Sequence, residues 1–183
     1  MEIHLFILWS KANCERKNIL SDIADKFTVL DIYNISWSKN KFSENLSRFY
    51  GQNLPKNSKK EQHCGNETFT CIIVRDENPL YEHRETSKGI RVVNINLFDS
   101  KKLYRSWTCG GHKIHATDDI EETRIQLMLL LEKQYDNYLV SNEIFVAEKE
   151  CNQDLIGSNG WESLEDVFDI LNKTINYVIL RNF

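Results

Sequence analysis

A chain of 183 residues is long enough for one well-buried domain, and with 41% hydrophobic and 27% charged residues it has the composition of an ordinary folded globule. A net charge of −4 argues against a general nucleic-acid-binding role. The apolar opening stretch, residues 3–9, is far too short for a signal peptide or a membrane span. Five cysteines without a C-x-x-C pair point to reduced, cytoplasmic thiols and away from a disulfide frame or zinc knuckle.

In chain order, strands alternate with helices. Residues 3–9 form a continuous apolar run, the pattern of a strand buried on both faces. Ser10 then offers a cap for a helix over residues 12–27, with Leu20, Ile23, Ala24 and Phe27 on one side. Residues 28–37 are rich in β-branched and aromatic side chains and read as a second strand, so a parallel β-α-β start is expected. A short helix over residues 42–50, closed by Gly51, leads into a polar surface loop at residues 52–66. A third strand is expected at residues 69–75, followed by a turn at residues 76–79, a loop at residues 81–89 and a fourth strand at residues 90–97. Asp99 or Ser100 would cap a short helix ending at Arg105. Further on, residues 143–146 suggest a strand and residues 156–160 a loop. Residues 163–166 suggest a capping box before an apolar stripe, and residues 177–180 a last strand. The expectation is a single α/β domain over residues 1–183, its mostly parallel sheet covered by helices.

The chemistry concentrates in residues 109–124. Gly110 and Gly111 allow positive φ and close approach to a ligand, and Thr117 or Asp118 can cap a helix carrying Glu121, Glu122 and Arg124. Such a helix start presents unpaired N–H groups that suit phosphate. Arg84, Ser87 and Lys88 precede this stretch, as does Arg105. Together with His112, Lys113 and Thr117 they are candidates for binding anionic oxygens, although charged surface turns are commonplace. His112 and His115 are three apart; on a helix they would share a face, as an acid–base pair requires. The plainer alternative is a histidine that caps a helix or bonds a carbonyl. Asp118 and Glu122, at i and i+4, are candidates beside His115 for moving a proton. Asp119 or Glu122 could seat Mg²⁺ against a substrate phosphate, while simple complementation of the helix dipole accounts for some of these acids.

Four strings, residues 37–51, 81–105, 110–123 and 177–183, together resemble an N-terminal module of surface-glycopolymer proteins, the capsule and teichoic-acid-like phosphotransferases of bacteria and giant viruses. That resemblance implies phosphoryl or phospho-alditol transfer, with a nucleotide or sugar phosphate as ligand and a glycopolymer acceptor. It also implies that residues 171–183 lead into a C-terminal transferase domain. More locally, Gly110-Gly111-His112-Lys113 is similar to the phosphate-binding turn of ParB/sulfiredoxin-like domains, with Lys113 where arginine is usual. The functional expectation is therefore a phosphate-handling enzyme domain. A non-catalytic docking module is the alternative, and a metal-dependent nuclease is third, disfavoured by the acidic balance.

Overall fold

The computed structural model describes residues 1–86, 89–140, 145 and 147–155. Among these residues the main sheet has five strands: β1 (Glu2–Leu8), β2 (Thr28–Ile35), β3 (Phe69–Asp76), β6 (Ile114–Ala116) and β7 (Lys149–Cys151), in the order β6-β1-β3-β2-β7. A separate hairpin pairs β4 (Tyr81–Thr86) with β5 (Gly89–Asn94). The domain is α/β, but its sheet is mainly antiparallel. β3 runs antiparallel to both β1 and β2, β6 runs antiparallel to β1, and only β2 with β7 is parallel. The expected β-α-β start holds in direction, because β1 and β2 both oppose β3 and so run the same way. What differs is adjacency: β3 lies between them, giving the split β-α-β arrangement of ferredoxin-like folds. Apolar runs mark burial on both faces, and that is satisfied by either strand order.

Both faces are covered. On one, α1 (Arg16–Lys26) and α4 (Ile95–Trp107) bring Ile19, Ile23, Leu97 and Tyr104 onto Phe6, Leu8, Ile72 and Val74. On the other, α2 (Phe42–Tyr50), α5 (Ile120–Leu131) and α6 (Tyr135–Leu139) bury Phe42, Leu46, Leu127 and Tyr138 over Leu5, Ile7 and Ile73. At the centre of this second face Trp9 is fully buried among Trp37, Phe42, Phe49 and Phe69, with ring centroids 4.6 to 6.4 Å away. Trp37 Nε1 is buried there with no hydrogen-bond partner among the described residues.

Several boundaries move for local reasons. A 3₁₀ turn, Ser10–Glu15, precedes α1, and the Ser10 hydroxyl donates to the Cys64 carbonyl instead of capping. The polar loop contains α3 (Lys59–Cys64), capped by Ser58, whose Oγ accepts the Glu61 N–H at 3.3 Å. Residues 81–86, expected as loop, are β4. The strand expected to reach residue 97 ends at Asn94, because the Asn94 Oδ1 accepts the Asn96 N–H at 3.0 Å and starts α4 five residues before Ser100. Asp119 caps α5, one residue past the expected position. The strand expected at residues 143–146 falls almost entirely outside the described residues, and so do the loop, helix and strand expected beyond residue 155. Among the described residues no helix is long and apolar enough to cross a membrane, and all five cysteines are free.

Candidate functional site

The glycine turn follows α4 directly. Cys109, Gly110 and Gly111 take φ of 59°, 77° and 82° in succession, which reverses the chain into β6, where the Trp9 N–H donates to the Lys113 carbonyl at 2.9 Å. The turn packs against α3. A Cβ on Gly111 would lie 3.0 Å from Nδ1 of His63, so glycine is what lets that ring lie against the backbone. The two histidine rings are 5.5 Å apart, and the His112 N–H donates to His63 Nδ1 at 3.4 Å. Lys113 is spent locally, its Nζ donating to the Thr108 carbonyl at the end of α4.

Arg105, in the last turn of α4, leans toward the same place. Its Nε donates to the Ile114 carbonyl at 2.9 Å. The residue is half-buried and forms no ion pair with a carboxylate among the described residues. Burial pushes its pKa down. Lys60 of α3 places Nζ 3.9 Å over the Tyr50 ring and donates to Gln52 Oε1 at 3.1 Å. Burial lowers the pKa of His112, and the charges of Lys60 and Arg105 lower it further. Four basic side chains from α3, α4 and the turn thus lie within electrostatic reach of one another.

The acidic helix start is organised differently. Asp119 Oδ1 accepts the Glu122 N–H at 2.8 Å, and Glu122 Oε2 accepts the Asp118 N–H at 2.7 Å, a reciprocal cap of the capping-box kind. Burial pushes the Glu122 pKa up. Asp118 pairs with Lys101. Thr117 Oγ1 is fully buried, takes the Leu5 N–H at 3.1 Å and lies 3.1 Å from His4 Nδ1. His115 stands on a strand, in the core, with Nε2 at 2.9 Å from Gln126 Oε1 and with Phe49 and Tyr50 edge-on. Burial and then the nearby Lys101 charge hold its pKa well below the ordinary histidine value of 6.5, so the ring is neutral. His112 and His115 therefore do not share a helix face, because one lies in a turn and the other on β6.

Outside this start lies a cleft of about 310 Å³ bordered by Arg48, Tyr50, Arg91, Asp118, Asp119 and Glu122. Tyr50 belongs both to this cleft and to the contact with Lys60, so the basic cluster and the cleft adjoin. Arg84 sits elsewhere. It pairs with Glu82 two residues back along its own strand and lies 3.8 Å from Asp99 near the start of α4, whereas the glycine turn lies beyond the end of that 13-residue helix. Most of the helix's length of ~20 Å separates the two. Ser87 and Lys88 lie outside the described residues. Among the described residues no group of three or more His, Cys, Asp or Glu side chains is arranged to hold a metal ion. Asp119 and Glu122 are turned to the helix start instead.

The structure thus brings Arg105, Gly110, Gly111, His112 and Lys113 together and does not bring Arg84 to them. Sequence reasoning missed Lys60 and His63, which sat in a stretch read as loop. The signal was there: Ser58 three residues before Glu61 is a capping box. It also missed Arg48 and Arg91, whose separation from the motif hides their approach. No family model matches the chain, and no curated protein matches it. Among solved structures the chain is similar to the nucleoside diphosphate kinase of Aquifex aeolicus in an orthorhombic crystal form. The match has a TM-score of 0.42 and 13% identity over 78% of this chain and 98% of that one. A likeness so distant leaves function to be argued from this chain's own residues.

Proposed function

We propose that this chain binds the phosphate of a nucleotide or sugar phosphate at the basic cluster, with the remainder of the ligand entering the adjoining cleft. The observation that carries this reading is Arg105, a half-buried guanidinium with no carboxylate at ion-pair distance among the described residues. Partial burial penalises this charge, Asp118 offsets it only from beyond ion-pair distance, and an anion placed beside it lowers the remaining cost. His63, His112 and Lys60 add donors around the same point. Any Mg²⁺ would arrive with the ligand's phosphates, as is common for this ion, since among the described residues the carboxylates form no cage of their own.

Following the sequence resemblance, we place this binding in phosphoryl or phospho-alditol transfer during surface-glycopolymer synthesis, alongside a C-terminal transferase domain. A second reading, a docking module without catalysis, is favoured by one observation: the β4–β5 hairpin exposes Ile90 and Val92, at 74% and 50% of their surface. Thermal melting with inorganic phosphate, glucose 1-phosphate and nucleoside diphosphates, with and without Mg²⁺, tests the first reading. At a hundred times Kd a ligand adds about 2.7 kcal/mol, or roughly 5–11 °C at this chain length. Arg105→Ala should weaken binding by about 1.5–3 kcal/mol, the value of a charged hydrogen bond. If the variant binds these phosphates as tightly as the parent does, the site is wrong. If none of them raises the melting temperature, the docking module is the better account.

A further inference from the structure

We propose that the His63–His112 pair takes a terminal, dianionic phosphate and that a proton enters His112 together with it; this rests on the phosphate reading above. His63 Nδ1 accepts the backbone N–H of His112 at 3.4 Å, which leaves Nε2 as the N–H that the ring presents outward. His63 therefore offers a donor oriented by the backbone, and Gly111 keeps the ring close enough for that bond. His112 is different, because its ring is exposed.

The groups around His112 come from three elements. From α3 come Lys60, His63 and Cys64, whose thiol burial pushes up to about 12 and whose Sγ lies 3.6 Å from the His112 carbonyl. The Glu61 carboxylate of the same helix is directed to Ser43 and Asn57. From α4 comes Arg105, and the turn itself supplies Lys113, tied to Thr108. In this setting the His112 pKa lies below the ordinary 6.5, through partial burial first and then the positive charges of Lys60 and Arg105, so the ring is mainly neutral near pH 7. A bound dianion reverses that balance. Lys60 and Arg105 offset its two charges, and the ring beside it then gains by protonation. A phosphodiester, with a single charge and two terminal oxygens, offers less compensation and one contact fewer. Affinity accordingly rises as pH falls toward the free-state pKa of His112.

The test follows the His112 Cε1–H signal by NMR as pH is varied, assigned by its loss in His112→Gln, at ionic strength matched with chloride. Sulfate serves as a tetrahedral dianion that does not titrate in this range, and methyl and dimethyl phosphate complete the set. Expected is a His112 midpoint about one unit or more higher with saturating sulfate or methyl phosphate, and a smaller rise with dimethyl phosphate. An unchanged midpoint while these anions still raise the melting temperature overturns the proton coupling and leaves the phosphate site standing. Equal rises with methyl and dimethyl phosphate overturn the preference for a dianion. Failure of every anion to alter either the signal or the melting temperature overturns both this inference and the site it rests on. A melting temperature of His112→Gln equal to the parent's shows that a lost response is not lost folding.

Discussion

Alanine at Gly111 and alanine at Gly110 form a matched pair of perturbations. Both glycines hold left-handed φ, 82° and 77°, and a side chain in that region costs about 1–2 kcal/mol. They differ in surroundings: nothing lies within 4 Å of a Cβ on Gly110, while one on Gly111 lies 3.0 Å from His63 Nδ1. The His63 side chain must therefore swing away in Gly111→Ala, and the bond from the His112 N–H goes with it, a further ~0.5–1.5 kcal/mol. Gly110→Ala should lose about 1–2 kcal/mol and Gly111→Ala roughly 1.5–3.5 kcal/mol. In thermal melting these become falls of about 2–8 °C and 3–14 °C at this chain length. Phosphate affinity separates them further, since only Gly111→Ala displaces His63. Equal losses of stability and of affinity in the two variants would falsify the idea that Gly111 exists to seat His63.

His115→Ala should destabilise the fold by about 1–3 kcal/mol in urea unfolding, from the orphaned Gln126 amide alone; a change near zero would remove His115 from the core network. His4 and His115 are both held neutral, with folded pKa values below 6.5, chiefly by burial. The unfolded chain therefore binds protons that the folded one does not, so this contribution is intact above pH 6.5 and is lost as pH falls below it. A melting temperature independent of pH between 7 and 5 would contradict it. Asp119→Ala should cost about 1 kcal/mol as a lost N-cap, read as a lower urea midpoint with unchanged slope. Trp37→Phe should cost less than about 1 kcal/mol, because removing the unpaired Nε1 donor offsets part of the lost ring contact; a loss comparable to that of Trp37→Ala would mean the indole N–H is satisfied.

The parts of the fold that periodicity encodes were legible: strands at residues 3–9, 28–37 and 69–75, the helix after Ser10, and α2 with its Gly51 cap. Strand order was not, because a doubly buried strand such as β1 presents the same apolar run whether its neighbour is β2 or β3. At the candidate site, Arg105, His112 and the two glycines were found because they stand next to one another in sequence. His63 was not, since a close contact between residues 63 and 111 leaves no mark in either stretch beyond the glycine itself. His115 was misplaced for a related reason. A histidine on a short strand facing an aromatic layer has the same spacing to its neighbours as one on a helix, and only the two-residue alternation of Ile114 and Ala116 into the opposite core hints at β6.

The insertion of β3 between β1 and β2 bears on how the chain comes off the ribosome. The first fifty residues contain two strands and two helices, yet β1 and β2 make no ladder with each other. Their backbone partners arrive only with residues 69–76, and β1 waits for residues 114–116 to cover its other edge. A growing chain therefore carries two apolar strands with open edges until well past its midpoint. Non-local pairing of this sort slows folding and leaves sticky edges exposed meanwhile. Truncation before residue 69 should yield aggregates, not a soluble half-domain, and chaperone demand should fall once both β3 and β6 have emerged.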